Sequence, residues 1–219
     1  MNNNSNVILE AENVSFSYVT KQQRVDAVKG FSYSFSPAKL YALIGKSGSG
    51  KSTILSLLGG LADPSEGEVF FRGENLRGVN KVKYRRENAS FVFQNFNLFP
   101  MLNILENVAY VLWIQGVKKE EARNLAANAL SAVGLDETYY KRQPQQLSGG
   151  EQQRVAIGRS LVSGADIILA DEPTGNLDAA NGEMILDLLR ELASEREICV
   201  ILATHDQQVM DISDEIIQL

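Results

Sequence analysis

The stretch LYALIGKSGSGKST, residues 40–53, decides the fold. LYALI is an uninterrupted apolar run of strand length. Gly45, Lys46, Ser47, Gly48, Ser49 and Gly50 then form a glycine-rich turn, and Lys51, Ser52 and Thr53 open a helix-forming run. Gly45, Gly50, Lys51 and Ser52 meet the spacing G-x-x-x-x-G-K-[ST] in the strand–loop–helix context that the pattern requires. Glycines let successive backbone N–H groups converge on an anion. The helix start adds unpaired donors and the positive end of a dipole. Lys51 can reach the β- and γ-phosphates of a nucleoside triphosphate, and the Ser52 hydroxyl can ligate Mg²⁺. An ordinary strand-to-helix turn would require neither a lysine nor a serine there.

Upstream of this stretch, Val14, Phe16 and Tyr18 alternate with Ser15, Ser17 and Val19, and Phe31, Tyr33 and Phe35 alternate with serines. Period two predicts short strands from Val7 to about Leu43, with Pro37 and Ala38 as a turn. Downstream, a helix is expected over about 52–61, ended by the turn residues Asp63, Pro64, Ser65 and Gly67. EVFFRG is a further strand. Residues 84–163 read as mostly helical. There Ala122, Leu125, Ala126, Ala129, Leu130 and Val133 share one helical face, and Gly134 suits the position just past the helix end. The last third alternates strand (DIILADE), helix (about 179–194), strand (ICVILATH), helix (about 207–213) and a short strand, EIIQL. Strands alternating with helices predict an α/β fold whose mainly parallel sheet is covered on both faces. The expectation is one domain over 1–219, with an N-terminal antiparallel β subdomain and a helical insert.

Composition sets outer bounds. With 219 residues, 44% of them hydrophobic, the chain can bury a core without disulfides. The single cysteine, Cys199, lies in the apolar run ICVILA and reads as a small core residue rather than a reactive thiol. The start, MNNNSN, lacks the regions of a signal peptide and reads as a polar tail. No apolar run approaches the ~18–20 residues needed to cross a bilayer. A net charge of −6 argues against broad nucleic-acid binding.

Two more motifs carry chemistry. DIILADEP, residues 166–173, is an apolar strand ending in two acids. Such acids fall where open α/β sheets bind ligands. Behind a phosphate-binding loop, Asp171 would hold Mg²⁺ through its shell, and Glu172 would orient or deprotonate the attacking water. LSGGE, residues 147–151, opens a second helix. Ser148, Gly149 and Gly150 offer a hydroxyl and free backbone donors, hence a second phosphate-binding surface. An ordinary serine-capped helix would look the same locally.

Taken in order, GKSGSGKST, LSGGEQQRVAIGRSL and DIILADEPTGNLD make nearly the whole chain resemble the ABC-type ATPases. The resemblance implies two chains sandwiching two ATP molecules head to tail, with Ser148, Gly149 and Gly150 of one chain meeting the γ-phosphate held by the other. It implies that Gln94 touches Mg²⁺ and the attacking water, that Asp178 lies in the loop crossing the dimer interface, and that His205 holds the γ-phosphate. Tyr18 matches the aromatic that stacks on adenine, although it could instead pack beneath the sheet. Glu151 stands where glutamine is commoner, GNLD where many relatives have SALD, and Gly158 and Ser160 where alanines are usual. Relatives continue past EIIQL with a polar, glycine-containing tail that this sequence does not have.

PTGNLD, LSGGEQQRVAI and FQNFNLFPMLNILENV look most like the ATPases of lipoprotein-releasing, macrolide-efflux and antimicrobial-peptide transporters, together with the cell-division branch. The resemblance thus implies a cytoplasmic ATP-dependent homodimer, held at the inner face of the membrane by an integral permease. The work would be export or extraction of a peptide, antibiotic or lipoprotein, or force transmission with no cargo. Within the apolar stretch 96–113, a few residues around 96–101 are expected to meet the permease, the rest being core. Translation factors of this class carry two cassettes, chromosome-organising heads are split by a coiled coil, and GTPases carry [NT]-K-x-D. None of these features is present. Intact Lys51, Asp171, Glu172 and His205 argue against a degenerate regulator.

Overall fold

A computed structural model describes residues 6–19 and 24–219. The polar start lies outside the described residues except for Asn6. The expected central sheet is present. Strands β3 (Leu40–Ile44), β6 (Ala89–Val92), β7 (Ile167–Asp171), β8 (Cys199–Thr204) and β9 (Glu215–Gln218) pair in the order β6-β7-β8-β3-β9, every pair parallel. All six residues of β8 are buried, as a strand covered on both faces requires.

Alternation along these strands divides the interior in two. Tyr41, Leu43, Ile167, Leu169, Cys199 and Ile201 face helix α1 (Lys51–Leu58) and the N-terminal sheet. Leu40, Ala42, Ile168, Ala170, Val200 and Leu202 face the opposite layer. That layer holds α5 (Gly149–Val162), α6 (Ala179–Arg196) and α7 (Gln207–Ile212). Cys199 is fully buried, and burial pushes its thiol far up, so it is the inert core residue the sequence suggests.

The N-terminal sheet is antiparallel: β1 (Leu9–Val19), β2 (Arg24–Phe35), β4 (Glu66–Phe71) and β5 (Glu74–Asn75), in the order β2-β1-β4-β5. The helical layer contains α3 (Ile104–Ile114) and α4 (Lys119–Ala132) packed on α5, while the short α2 (Lys81–Glu87) precedes β6.

Three expectations need correction. Helix α1 stops at Leu58 rather than near Leu61, because Gly59 and Gly60 follow and glycine is a poor helix former. Strand β6 falls inside the stretch 84–163 that was expected to be mostly helical; four residues, ASFV, are too short to show a period. Leu125 is 41% exposed. The buried stripe of α4 runs through Ala122, Ala126, Ala129 and Leu130, and Leu125 lies at its margin.

Candidate nucleotide site

The site is assembled at the C-terminal ends of the parallel strands, where such sheets bind ligands. Strand β3 delivers the loop 45–50, and Gly50 closes it in a left-handed conformation, φ 97°. A Cβ on Gly50 would lie 2.2 Å from the Ala27 carbonyl oxygen, so only glycine fits. The Ser49 N–H donates to the Lys46 oxygen. Among the described residues, the N–H groups of Gly48, Gly50, Lys51, Ser52 and Thr53 have no backbone acceptor and are free for an anion. Lys51 is 8% exposed, and its Nζ donates to the Gly45 carbonyl at 2.9 Å, which holds the ammonium over the loop.

Strand β7 ends at Asp171. Burial raises its carboxyl above the ordinary range, and the charge of Glu172 adds to this; hydrogen bonding from Ser52 and the charge of Lys51 work against it. Glu172 follows with φ +46°, a strained value for a non-glycine residue. Its backbone N–H donates to the Ala203 oxygen at 2.8 Å. Its carboxylate meets His205 Nδ1 at 2.9 Å and accepts from the Thr204 hydroxyl at 3.3 Å. Gln94 follows β6, and the Asn176 amide donates to its carbonyl at 3.0 Å.

Tyr18, residues 45–53, Gln94, Asp171, Glu172 and His205 line one groove of about 730 Å³. The Tyr18 hydroxyl lies 3.2 Å from the Thr53 hydroxyl, and the ring is half exposed rather than packed beneath the sheet. A larger cleft of about 950 Å³ lies elsewhere, beside Glu10, Arg72 and Asp166, and contains none of the candidate site residues.

A profile of the family described as ABC transporter matches residues 28–175. The chain belongs to that family. It is 38% identical over 212 residues to the uncharacterized ABC transporter ATP-binding protein YclH of Bacillus subtilis (strain 168), covering 97% of this chain and 93% of that one. It is 39% identical over 216 residues to the macrolide export ATP-binding/permease protein MacB 2 of Yersinia pestis bv. Antiqua (strain Antiqua), covering 97% of this chain but 32% of that longer one. Among solved structures, the cassette MJ0796, in a dimeric post-hydrolysis state bound to ADP and Pi, superposes with a TM-score of 0.90 at 38% identity, covering 97% and 94% of the two chains. CbiO1 of Clostridium perfringens, part of the cbiONQ transporter complex, gives a TM-score of 0.84 at 28% identity, covering 97% and 84%. This ABC cassette is therefore an ATPase of α/β fold with ATP as its nucleotide.

In this cassette the signature residues, LSGGE at 147–151 with the helix α5 that they open, do not line the groove. Ser148 caps α5, and Glu151 closes a reciprocal capping box: the Ser148 N–H donates to Glu151 Oε2 at 2.7 Å. Asp178 caps α6 by accepting from the Asn181 N–H at 2.9 Å. A Cβ on Gly150 would come within 2.5 Å of Asn181 Oδ1, so the two caps are packed together. Val25, Asp26 and Ala27 line the groove without having been expected there, because a β2 register cannot be read from alternation alone. Thr204 was also missed; it is fully buried and looks like core.

Ser52, Asp171 and Gln94 offer only hard oxygen or amide donors. Among the described residues no group of three or more His, Cys, Asp or Glu could cage a metal. That set suits Mg²⁺, which binds through one or two protein oxygens and completes its shell with phosphate and water.

Proposed function

We propose that two copies of this chain close head to tail over two ATP molecules, and that the closed pair drives an integral membrane permease. The observation that carries this reading is the split of the phosphate-binding features. The groove holds residues 45–53, Asp171, Glu172 and His205, whereas Ser148, Gly149, Gly150 and Asp178 of the same chain lie outside it. The partner's Ser148, Gly149 and Gly150 would complete each site from across the interface, with Asp178 in the loop between them.

Within one site, Tyr18 stacks on the adenine, the loop N–H groups and Lys51 hold the β- and γ-phosphates, and His205 donates to the γ-phosphate. Ser52, Asp171 and Gln94 hold Mg²⁺, which when bound neutralises charge on the phosphate oxygens. Glu172 aligns the attacking water and accepts its proton as the bond from the γ-phosphorus to the bridging oxygen breaks. ADP and phosphate then leave, and the pair reopens.

The permease would dock on the loop between β6 and α3 and on α3 itself. Phe99, Met101, Tyr110 and Ile114 are exposed there, extending further along α3 than the few residues around 96–101. Asn107, fully buried, fixes this loop through hydrogen bonds to the N–H and carbonyl of Phe99 and to the carbonyls of Leu102 and Asn103. No helix among the described residues is long and apolar enough to cross a membrane. Likeness to a macrolide export protein over 97% of this chain favours export or extraction of a peptide, antibiotic or lipoprotein, at the inner face of the cell membrane.

Sedimentation of Glu172→Gln with Mg-ATP tests the pairing. A nucleotide-dependent dimer that does not turn over is the expected result. A variant that stays monomeric at high protein concentration removes the sandwich for this chain alone.

A further inference from the structure

Gln94 sits at the start of a strained loop. Phe96 and Asn97, two consecutive non-glycine residues, both have left-handed backbones, with φ of 61° and 48°. Side chains resist that conformation, and a pair persists only where surrounding contacts enforce it. The enforcing contact comes from α5. Arg159 donates from Nη2 to the Phe96 carbonyl at 2.7 Å and from Nη1 to the Asn97 carbonyl at 2.8 Å.

Arg159 is unusual in its own right. Among the described residues it has no ion-pair partner. Burial pushes its guanidinium down to about 10, so it stays charged at neutral pH. Even a partly buried charge without a counter-ion is costly unless hydrogen bonds satisfy it. Here two carbonyls of one loop do so, and the rigid fork of a guanidinium matches them as a lysine could not. The loop is tied at two further points. Asn176 holds the Gln94 carbonyl at 3.0 Å, and the Phe96 ring abuts Gly149, where a Cβ would meet its Cζ at 3.8 Å.

We propose that Arg159 is a positioning residue for Gln94: it clamps the 96–97 turn to the signature helix and so sets where the Gln94 side chain stands over the γ-phosphate site. The signature helix and Gln94 then move as one body. This rests on the role proposed for Gln94 above and adds the device that aims it.

The test compares Arg159→Met and Arg159→Lys with the unaltered chain, each also in a Gln94→Ala background. The readouts are phosphate release, ATP affinity and amide hydrogen exchange over 94–97. In Arg159→Met, turnover should fall about 10- to 100-fold, as for a misaimed group. ATP affinity should hold and the 94–97 amides should exchange faster without nucleotide. Arg159→Lys should lie between, since it keeps the charge but only one of two bonds. In the Gln94→Ala background, Arg159→Met should cost little more.

Equal losses in both backgrounds, with Gln94→Ala itself slow, would overturn the clamp while leaving the role of Gln94 standing. Unchanged turnover in Gln94→Ala alone would remove that role, and the clamp with it. If Arg159→Met does not fold, Arg159→Lys decides the same question through the same cycle. Unchanged exchange over 94–97 in a folded variant would also refute the clamp.

Discussion

His205 Nδ1 lies 2.9 Å from Glu172 Oε1, joining an imidazole that is 76% exposed to a carboxylate that is 16% exposed. The second carboxylate oxygen takes a hydrogen bond from Thr204. Glu172 is therefore held on both oxygens by consecutive residues at the end of β8, with its own backbone strained to φ +46°. Strain of this kind costs about 1–3 kcal/mol and persists where neighbours over-determine the geometry.

That contact gives His205 two tasks in the proposed site: it orients Glu172 before ATP binds, and its ring faces the γ-phosphate afterwards. His205→Ala should slow phosphate release by about 100-fold, the usual effect of losing one donor to a developing charge. Stability should change by less than about 0.5 kcal/mol, because the ring is exposed. Steady-state phosphate release and thermal melting of the same preparation check both.

Lys51 is held over the loop by the Gly45 carbonyl at 2.9 Å and, more weakly, by the Lys46 carbonyl at 3.4 Å. The ammonium is thus in place before nucleotide arrives. Lys51→Ala removes a charged hydrogen-bond donor worth about 1.5–3 kcal/mol. ATP affinity should fall about 10- to 100-fold in a fluorescent-nucleotide titration. Unchanged affinity would mean that the loop does not hold the phosphates.

Gly50 shows how much of the site was legible in residue types alone. The spacing from Gly45 to Ser52 located the loop, and the structure supplies the reason for the last glycine: a neighbouring strand, at the Ala27 carbonyl. The acids at the end of β7 were equally legible, because they end an apolar strand behind that loop; the lone histidine was not, since by residue type it reads as structural and only the family resemblance pointed to it. Strand β6 was not, being only four residues long. Arg159 was not, because an arginine on a helix reads as solvated until the loop it clamps is seen against it. Its partners are backbone carbonyls, which leave no trace in side-chain pattern.

The same carbonyl makes Gly50→Ala a test of the loop's shape. At φ 97° an added Cβ would lie 2.2 Å from a backbone atom that cannot rotate away. The loop must shift, which removes the alignment of its N–H groups. Loss of ATP binding and destabilisation of about 1–3 kcal/mol are expected, read by nucleotide titration and urea unfolding.

Asp171 should show the opposite balance between stability and function. Its carboxyl is raised in the folded chain, first by burial and then by the charge of Glu172. A raised acid means that the folded state binds its proton more tightly than the unfolded state does. Stability therefore falls as pH rises from the ordinary carboxylate value through the raised one, and the penalty stays at neutral pH. Asp171→Asn is nearly isosteric and keeps an acceptor for Ser52 but carries no charge. The nucleotide-free variant should melt higher than the unaltered chain at pH 7, and the gap should close as pH falls below the ordinary carboxylate range. Turnover should be lost, because Mg²⁺ binding needs the ionised oxygen. A variant that melts lower at pH 7 would show that the ionised carboxylate stabilises the empty site, contrary to the raised acid. Retained turnover would remove Asp171 from the proposed metal set.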